Sequence, residues 1–250
     1  DLKVTAGANT VDAAHENVVV KAGDAETRPQ LAVAVASLGR MYAGKIRLTG
    51  TEAGVGVRNA GNIGAQAGTV VVTADGRIEN SGNINSTGDM QLAAGSVSNS
   101  GKLYAGGSAD VSSRGEIEHS GTLATADNLT LRGSRITATA QSTLAAGIDK
   151  NGRAGEHGNV SLSSDGRLTL QGQNIAGGTL TAKGKGIDAS GSRAATGNTS
   201  LEAGDGDLDL RQARVDATGT LEARSTGSLL NDGGTLSGKN VDLNARSIAN

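Results

Sequence analysis

The chain has 250 residues and a formal net charge of -2, with 23 Lys and Arg against 25 Asp and Glu. It holds 39 Gly, 1 Pro and 2 Tyr, and no Phe, Trp or Cys, which argues against a thick globular core and removes disulfide and thiolate chemistry. Hydrophobic residues make up 36% and are evenly spread, which argues against disorder, and no basic stripe supports nucleic-acid binding.

Leu2, Val4 and Val11 suggest short strands, and Val18 to Val20 another. Asp24 to Gln30 is polar, contains the single Pro and reads as a loop. Leu31 to Val35 alternates like a strand. Ala32 to Ser37 also suits a short helix, and strand is the preferred reading. Ile46 and Leu48, two apart, are expected on one side of a strand. The alternate Gly54 and Gly56 fit either crowded pleats or turns with positive φ.

From Arg77 to Leu131 one pattern is written three times. Its copies are Ile78-Glu79-Asn80-Ser81-Gly82-Asn83-Ile84, Val97-Ser98-Asn99-Ser100-Gly101-Lys102-Leu103 and Ile117-Glu118-His119-Ser120-Gly121-Thr122-Leu123. The steps are 19 and 20 residues, and a relative, Val57 to Ile63, lies 21 residues upstream of the first copy. A period near 20 residues is that of a solenoid. Three apolar series recur: Val72, Leu92, Val111, Leu131; Ile78, Val97, Ile117, Ile136; and Ile63, Ile84, Leu103, Leu123.

This spacing predicts an all-β chain of roughly 20-residue coils, with short strands meeting at fixed corners. A single coil cannot bury its apolar side chains. Stacking pairs each strand in parallel with its neighbours at about 4.8 Å per layer. The gaps leave no room for crossover helices, so the coil itself is the crossover. Roughly a dozen coils and a rod of about 60 Å are expected.

Between Leu144 and Val160 the rhythm slips by about eleven residues. Asp149 to Gly158 reads as an insertion protruding from the rod, and a bland polar excursion is the preferred reading. The rhythm then resumes as Leu162, Leu180, Leu201, Leu221, Val241 and as Leu168, Ile187, Leu208, Leu229, Ile248. The sequence starts and ends mid-pattern and reads as a fragment of something longer. No signal peptide is visible, and no apolar run approaches a membrane span.

No residue is assigned a catalytic, cofactor-binding or metal-binding role. Asn80 and Asn99 are expected to stack at one corner, tolerating a left-handed backbone and bonding the neighbouring coil, with His119 as the next rung. His15 and His157 stand in unrelated contexts, so the three histidines make no zinc signature. Asp205, Asp207 and Asp209 lack a calcium loop and read as outward carboxylates on a turn and strand. Glu79 and Glu118 occupy equivalent positions two coils apart. Without a cleft or an aromatic sugar platform they read as solvated carboxylates, not a glycosidase pair. No aromatic cluster marks a binding hot spot. Open coil ends predict a monomer with weak end-to-end association.

The 24 residues from Leu38 to Gly61, LGRMYAGKIRLTGTEAGVGVRNAG, resemble a segment of filamentous haemagglutinin-type exoproteins. The same segment occurs in the stalks of contact-dependent growth inhibition toxins, and the Asn-Ser-Gly coils resemble the family's haemagglutinin repeats. The resemblance covers residues 1–140 well and rests on period and composition beyond 160. It implies a right-handed parallel β-helix, secreted to the Gram-negative cell surface by an outer-membrane two-partner-secretion transporter. It divides the chain into the end of an export-type domain with junction coils (1–61), regular haemagglutinin-type repeats (62–147), a protruding loop (148–159) and continued β-helix with wider coils (160–250). It further implies a non-enzymatic shaft that presents a distal adhesive or effector region. The alternatives are the stalk of a growth inhibition toxin acting on a target bacterial cell, or a shaft that itself binds a host receptor or glycan.

Overall fold

The computed structural model describes residues 1–12, 18–21, 29–149 and 151–250. His15 and Asp24 to Arg28 of the expected polar loop lie outside the described residues. Every regular element among those described is a β-strand. Leu31–Val35 is one of them, which decides between strand and helix there.

A coil has three faces, as in Arg77–Asn80, Asn83–Ser86 and Met90–Ala94, after which Ser96–Asn99 begins the next. The first face stacks into an 11-stranded sheet from Leu31–Val35 to Ser247–Ala249. The second and third faces form one 19-stranded sheet, because Gln173–Gly184 and Arg193–Ala203 run through the corner between them. All pairings in these two sheets are parallel, and the antiparallel pair Asn9–Val11 with Val18–Val20 stands apart. Eleven rungs on the first face, at about 4.8 Å per step, make a solenoid roughly 48 Å long.

Side chains alternate inward and outward: in Met90–Ala94, Met90, Leu92 and Ala94 are buried, while Gln91 is exposed and Ala93 half-buried. The inward ones form a single core along the axis. On the first face Val57, Ile78, Val97, Ile117, Ile136, Leu168, Ile187, Leu208, Leu229 and Ile248 stack in register. All of these but Ile248, which is half exposed in the last coil described, are buried, and each such burial stabilises by about 1.5–3 kcal/mol over exposure. A slip of one residue would turn every inward side chain outward, so the apolar pattern itself holds the register.

The third face corrects one series. Leu162 stacks on Ala182, not Leu180, and Leu180 stacks on Val160. Likewise Thr199 pairs with Leu221, and Leu201 with Ala223. Leu162, Leu180, Leu201 and Leu221 therefore belong to two parallel ladders. Where one ladder carries Leu180 the other carries Ala182, and Leu221 is matched by Ala223. Large and small residues alternate, so the core section keeps its volume.

The corners explain the glycines. A Cβ on Gly82, Gly101 or Gly121 would run into the carbonyl oxygen of the glycine one coil below. None of the three has positive φ. They are glycines because backbone stacks directly on backbone, not because the turn is left-handed. Gly54 and Gly56 divide the two roles expected of them. Gly54 has φ +77, whereas a Cβ on Gly56 would strike the Arg77 carbonyl.

The insertion leaves and returns at one point. Gly147 packs against His157 and Gly158, and Gly155 N–H donates to the Gly147 carbonyl at 2.7 Å. Asp149 and residues 151–157 are exposed. Val160 then pairs with Leu129 as if nothing had intervened.

Candidate functional site

The sequence-singled polar residues gather into one internal ladder and two surface sets. At the end of the first face Asn59 Nδ2 donates to Asn80 Oδ1 at 2.8 Å, and Asn80 Nδ2 to Asn99 Oδ1 at 2.7 Å. Asn99 Nδ2 then lies 3.1 Å from His119 Nδ1, and His119 Nε2 lies 3.1 Å from the Thr143 carbonyl. This network assigns His119 as the neutral Nε2–H tautomer, accepting from Asn99 and donating to Thr143. Burial lowers its pKa against the opposing pull of the Thr143 carbonyl. All four side chains are at most 3% exposed. The stacking matches the sequence expectation, but the left-handed backbone does not. Gln212 is the only non-glycine with positive φ among the described residues. The Asn side chains serve by satisfying the corner: Asn80 Nδ2 also reaches the Gly82 carbonyl.

Glu79 and Glu118 lie in register through Ser98 on the exposed first face. Glu79 pairs with Arg58 at 3.1 Å and Glu118 with Arg77 at 2.7 Å. These half-exposed pairs are worth about 0–1 kcal/mol each. Both carboxylates are engaged by guanidinium groups.

The aspartates depart from expectation. Asp209 is 9% exposed, not a solvated outward group. Its carboxylate accepts from Arg211 Nε and Nη2, the latter at 2.6 Å. That side-chain hydrogen bond holds its pKa below the usual range against the opposing effect of burial, and the Arg211 backbone N–H assists. Asp188 stacks beneath it. Burial raises the Asp188 pKa, but hydrogen bonds from Ser190 and the ion pair with Arg167 outweigh that and hold it low. Asp207 Oδ1 accepts from the Ser228 N–H at 2.7 Å. Among the described residues no cluster of three His, Asp or Glu could hold a metal ion.

What sequence reasoning missed is aromatic. Tyr42 and Tyr104, the chain's only aromatic residues, stand on one outward ladder of the second face, Tyr42–Gly64–Asn85–Tyr104. The signal was present: each is the residue after an inward one, in the series Met41, Ile63, Ile84, Leu103.

Comparison with known proteins gives a consistent picture. A family model described as haemagglutinin repeat matches residues 4–121 and 86–172. A second, described as repeats of unknown function, matches 157–223. A Toxin CdiA of Yersinia pestis is 54% identical over 109 residues, 43% of this chain and 3% of that protein. A tRNA nuclease CdiA-2 of Burkholderia pseudomallei is 44% identical over 84 residues, 34% of this chain and 3% of that protein. A 16S rRNA endonuclease CdiA of Enterobacter cloacae is 39% identical over 111 residues, 44% of this chain and 3% of that protein. The aligned segments thus span about 3% of the length of these relatives. No solved structure matches.

Proposed function

The chain belongs to the haemagglutinin-repeat family, and from that premise we propose that it is a structural shaft segment of a large exported surface protein of the filamentous haemagglutinin type. The observation that carries this reading is the unbroken core, along which the strands of each coil pair with those of the coils directly above and below. Such a stack can be lengthened without changing its section. Its work is to hold a distal binding or effector region away from the secreting cell. The names of the relatives favour the stalk of a contact-dependent growth inhibition toxin over that of an adhesin. The nuclease activities in those names belong to those proteins; the segment proposed here is not enzymatic.

On this reading the longer protein crosses the outer membrane through a two-partner-secretion transporter and works at the cell surface. It meets its target cell or host through other regions. Residues 1–61 form the end of an export-type domain with its junction coils, 62–147 and 160–250 the shaft, and 148–159 a protruding side loop.

Excising one coil in the full-length protein tests this. Removing residues 193–213 joins Ser192 to Arg214, which is the in-register partner of Arg193. The expected result is a rod shorter by about 4.8 Å, with surface display and the effect on target cells kept. Lost target effect with intact display would overturn the shaft reading.

A further inference from the structure

The insertion begins with a tight turn built on one aspartate. Asp149 Oδ1 accepts the Asn151 N–H at 2.9 Å and the Arg153 N–H at 2.8 Å. The Asp149 carbonyl accepts the Gly152 N–H at 2.9 Å, and the Asp149 N–H donates to the Arg153 carbonyl at 3.0 Å. Asn151 and Gly152 are both exposed. Gly152 has φ +78, and a Cβ there would meet nothing within 4 Å. Among the described residues the Asn151 side-chain amide has no hydrogen-bond partner.

Asn151-Gly152 is the single Asn-Gly step in the chain. The ladder residues Asn80 and Asn99 are instead followed by Ser. Their side-chain amides are buried and bonded, and the Ser81 and Ser100 N–H groups donate to the coil below at 2.8 and 2.9 Å. An asparagine amide is open to attack by the backbone nitrogen that follows it, and glycine leaves that approach uncrowded. We propose that Asn151 is a self-modifying position that deamidates spontaneously, at a pace set by Asp149. The Gly152 nitrogen gives its proton to solvent base and bonds to Asn151 Cγ. The Cγ–Nδ2 bond breaks, and Nδ2 leaves as ammonia with a proton from water. Water then opens the cyclic imide, leaving aspartate or isoaspartate at 151. One water is consumed for each ammonia released, and nothing is oxidised or reduced.

The turn restrains this reaction. The bond from Gly152 N–H to the Asp149 carbonyl keeps the nitrogen protonated and aimed away from Cγ. Attack therefore needs a local opening. The Asp149 carboxylate resists that opening by fixing the amides on either side of Gly152. Each event adds one negative charge to a chain of net charge -2, close to Arg153. The pairing of Val160 with Leu129 lies outside the turn. The insertion thus changes what it presents as the molecule ages, while the coils do not. This inference stands independently of the shaft reading, whose test removes a coil outside the insertion.

The test incubates the 250-residue chain for weeks in heavy-oxygen water at physiological pH and temperature, with peptide mapping by mass spectrometry. Asn151 should take up heavy oxygen and yield isoaspartate before Asn80, Asn99 or the exposed but strand-paired Asn85. Gly152→Ala should slow the conversion of Asn151 about tenfold, and Asp149→Ala should speed it about threefold. Far-UV circular dichroism verifies that both variants stay folded. Conversion of Asn80, Asn99 or Asn85 ahead of Asn151 would overturn the proposal. So would an unchanged rate in Gly152→Ala, which removes the attacking nitrogen from the account, or in Asp149→Ala, which removes the restraint.

Discussion

Replacing Asn99 by Leu cuts the internal amide ladder at its middle. Asn99 accepts from Asn80 Nδ2 at 2.7 Å and donates to His119 Nδ1 at 3.1 Å. Losing these two bonds costs about 1 kcal/mol each. Asn80 Nδ2 keeps the Gly82 carbonyl as a partner. The Nδ1 of His119, however, becomes a buried acceptor with no donor, at about 1–3 kcal/mol. The expected loss is therefore about 3–5 kcal/mol. Adding His119→Leu removes the orphaned acceptor, so the double variant should lose less than the sum of the two single variants, by about 1–2 kcal/mol. Urea denaturation at pH 8 followed by circular dichroism gives these differences. Because solenoids need not unfold in one step, hydrogen exchange of the Val97 and Ile117 amides locates the damage. A loss below about 0.5 kcal/mol for Asn99→Leu, or strict additivity in the double variant, would refute the assignment of the ladder.

His119→Asn should extend the ladder and change the pH response. Burial holds the folded His119 pKa below 6.5, so the unfolded chain takes up the proton first. The parent's stability from this group is then complete above about pH 6.5 and falls as pH drops toward the folded pKa. The variant should lack that part of the fall in urea midpoints measured from pH 8 to 5. Gly101→Ala places a Cβ against the Gly82 carbonyl, where nothing flexible can yield. A loss of about 2 kcal/mol or more is expected in the same melts, whereas Gly152→Ala, in open space on the insertion, should lose about 1 kcal/mol or less through its φ of +78 alone. Asn174 points into the core between Leu144 and Ala194, with its Oδ1 unpartnered. Its one bond is to the Gly172 carbonyl, which also accepts from Arg193 N–H. Asn174→Leu should therefore raise stability by about 1–2 kcal/mol in thermal melts.

The coil was legible wherever its inward positions are marked by Ile, Val or Leu. The series Ile78, Val97, Ile117 and Ile136 could be stacked from spacing alone, because one strong apolar residue recurs at one corner distance. It failed between Leu162 and Leu180, where Ala182 fills the inward position and Leu180 occupies the neighbouring one. Ala is too weak a marker of facing, and a two-residue shift keeps the same side of the strand. The Asn ladder was legible because its residues sit in copied motifs. The tyrosines went unnoticed although each follows an inward residue, because outward positions carry no periodic apolar signal of their own and Gly64 and Asn85 stand between the two. Asp209 was misread because its burial depends on the Arg211 side chain folding back over it, which spacing does not encode.

The pinch between Gly147 and Gly158 has a consequence for how such a molecule can diversify. The strands above and below keep their register across it, since Val160 seats on Leu129, while Gly177 of the next coil rests on the Gly155 and His157 carbonyls. Segments of other lengths and compositions can be plugged in at this socket without retuning any strand in the column. Variation is thereby decoupled from architecture: the column stays constant while the outer part of its side branch, away from Gly155 and His157, is free to be exchanged.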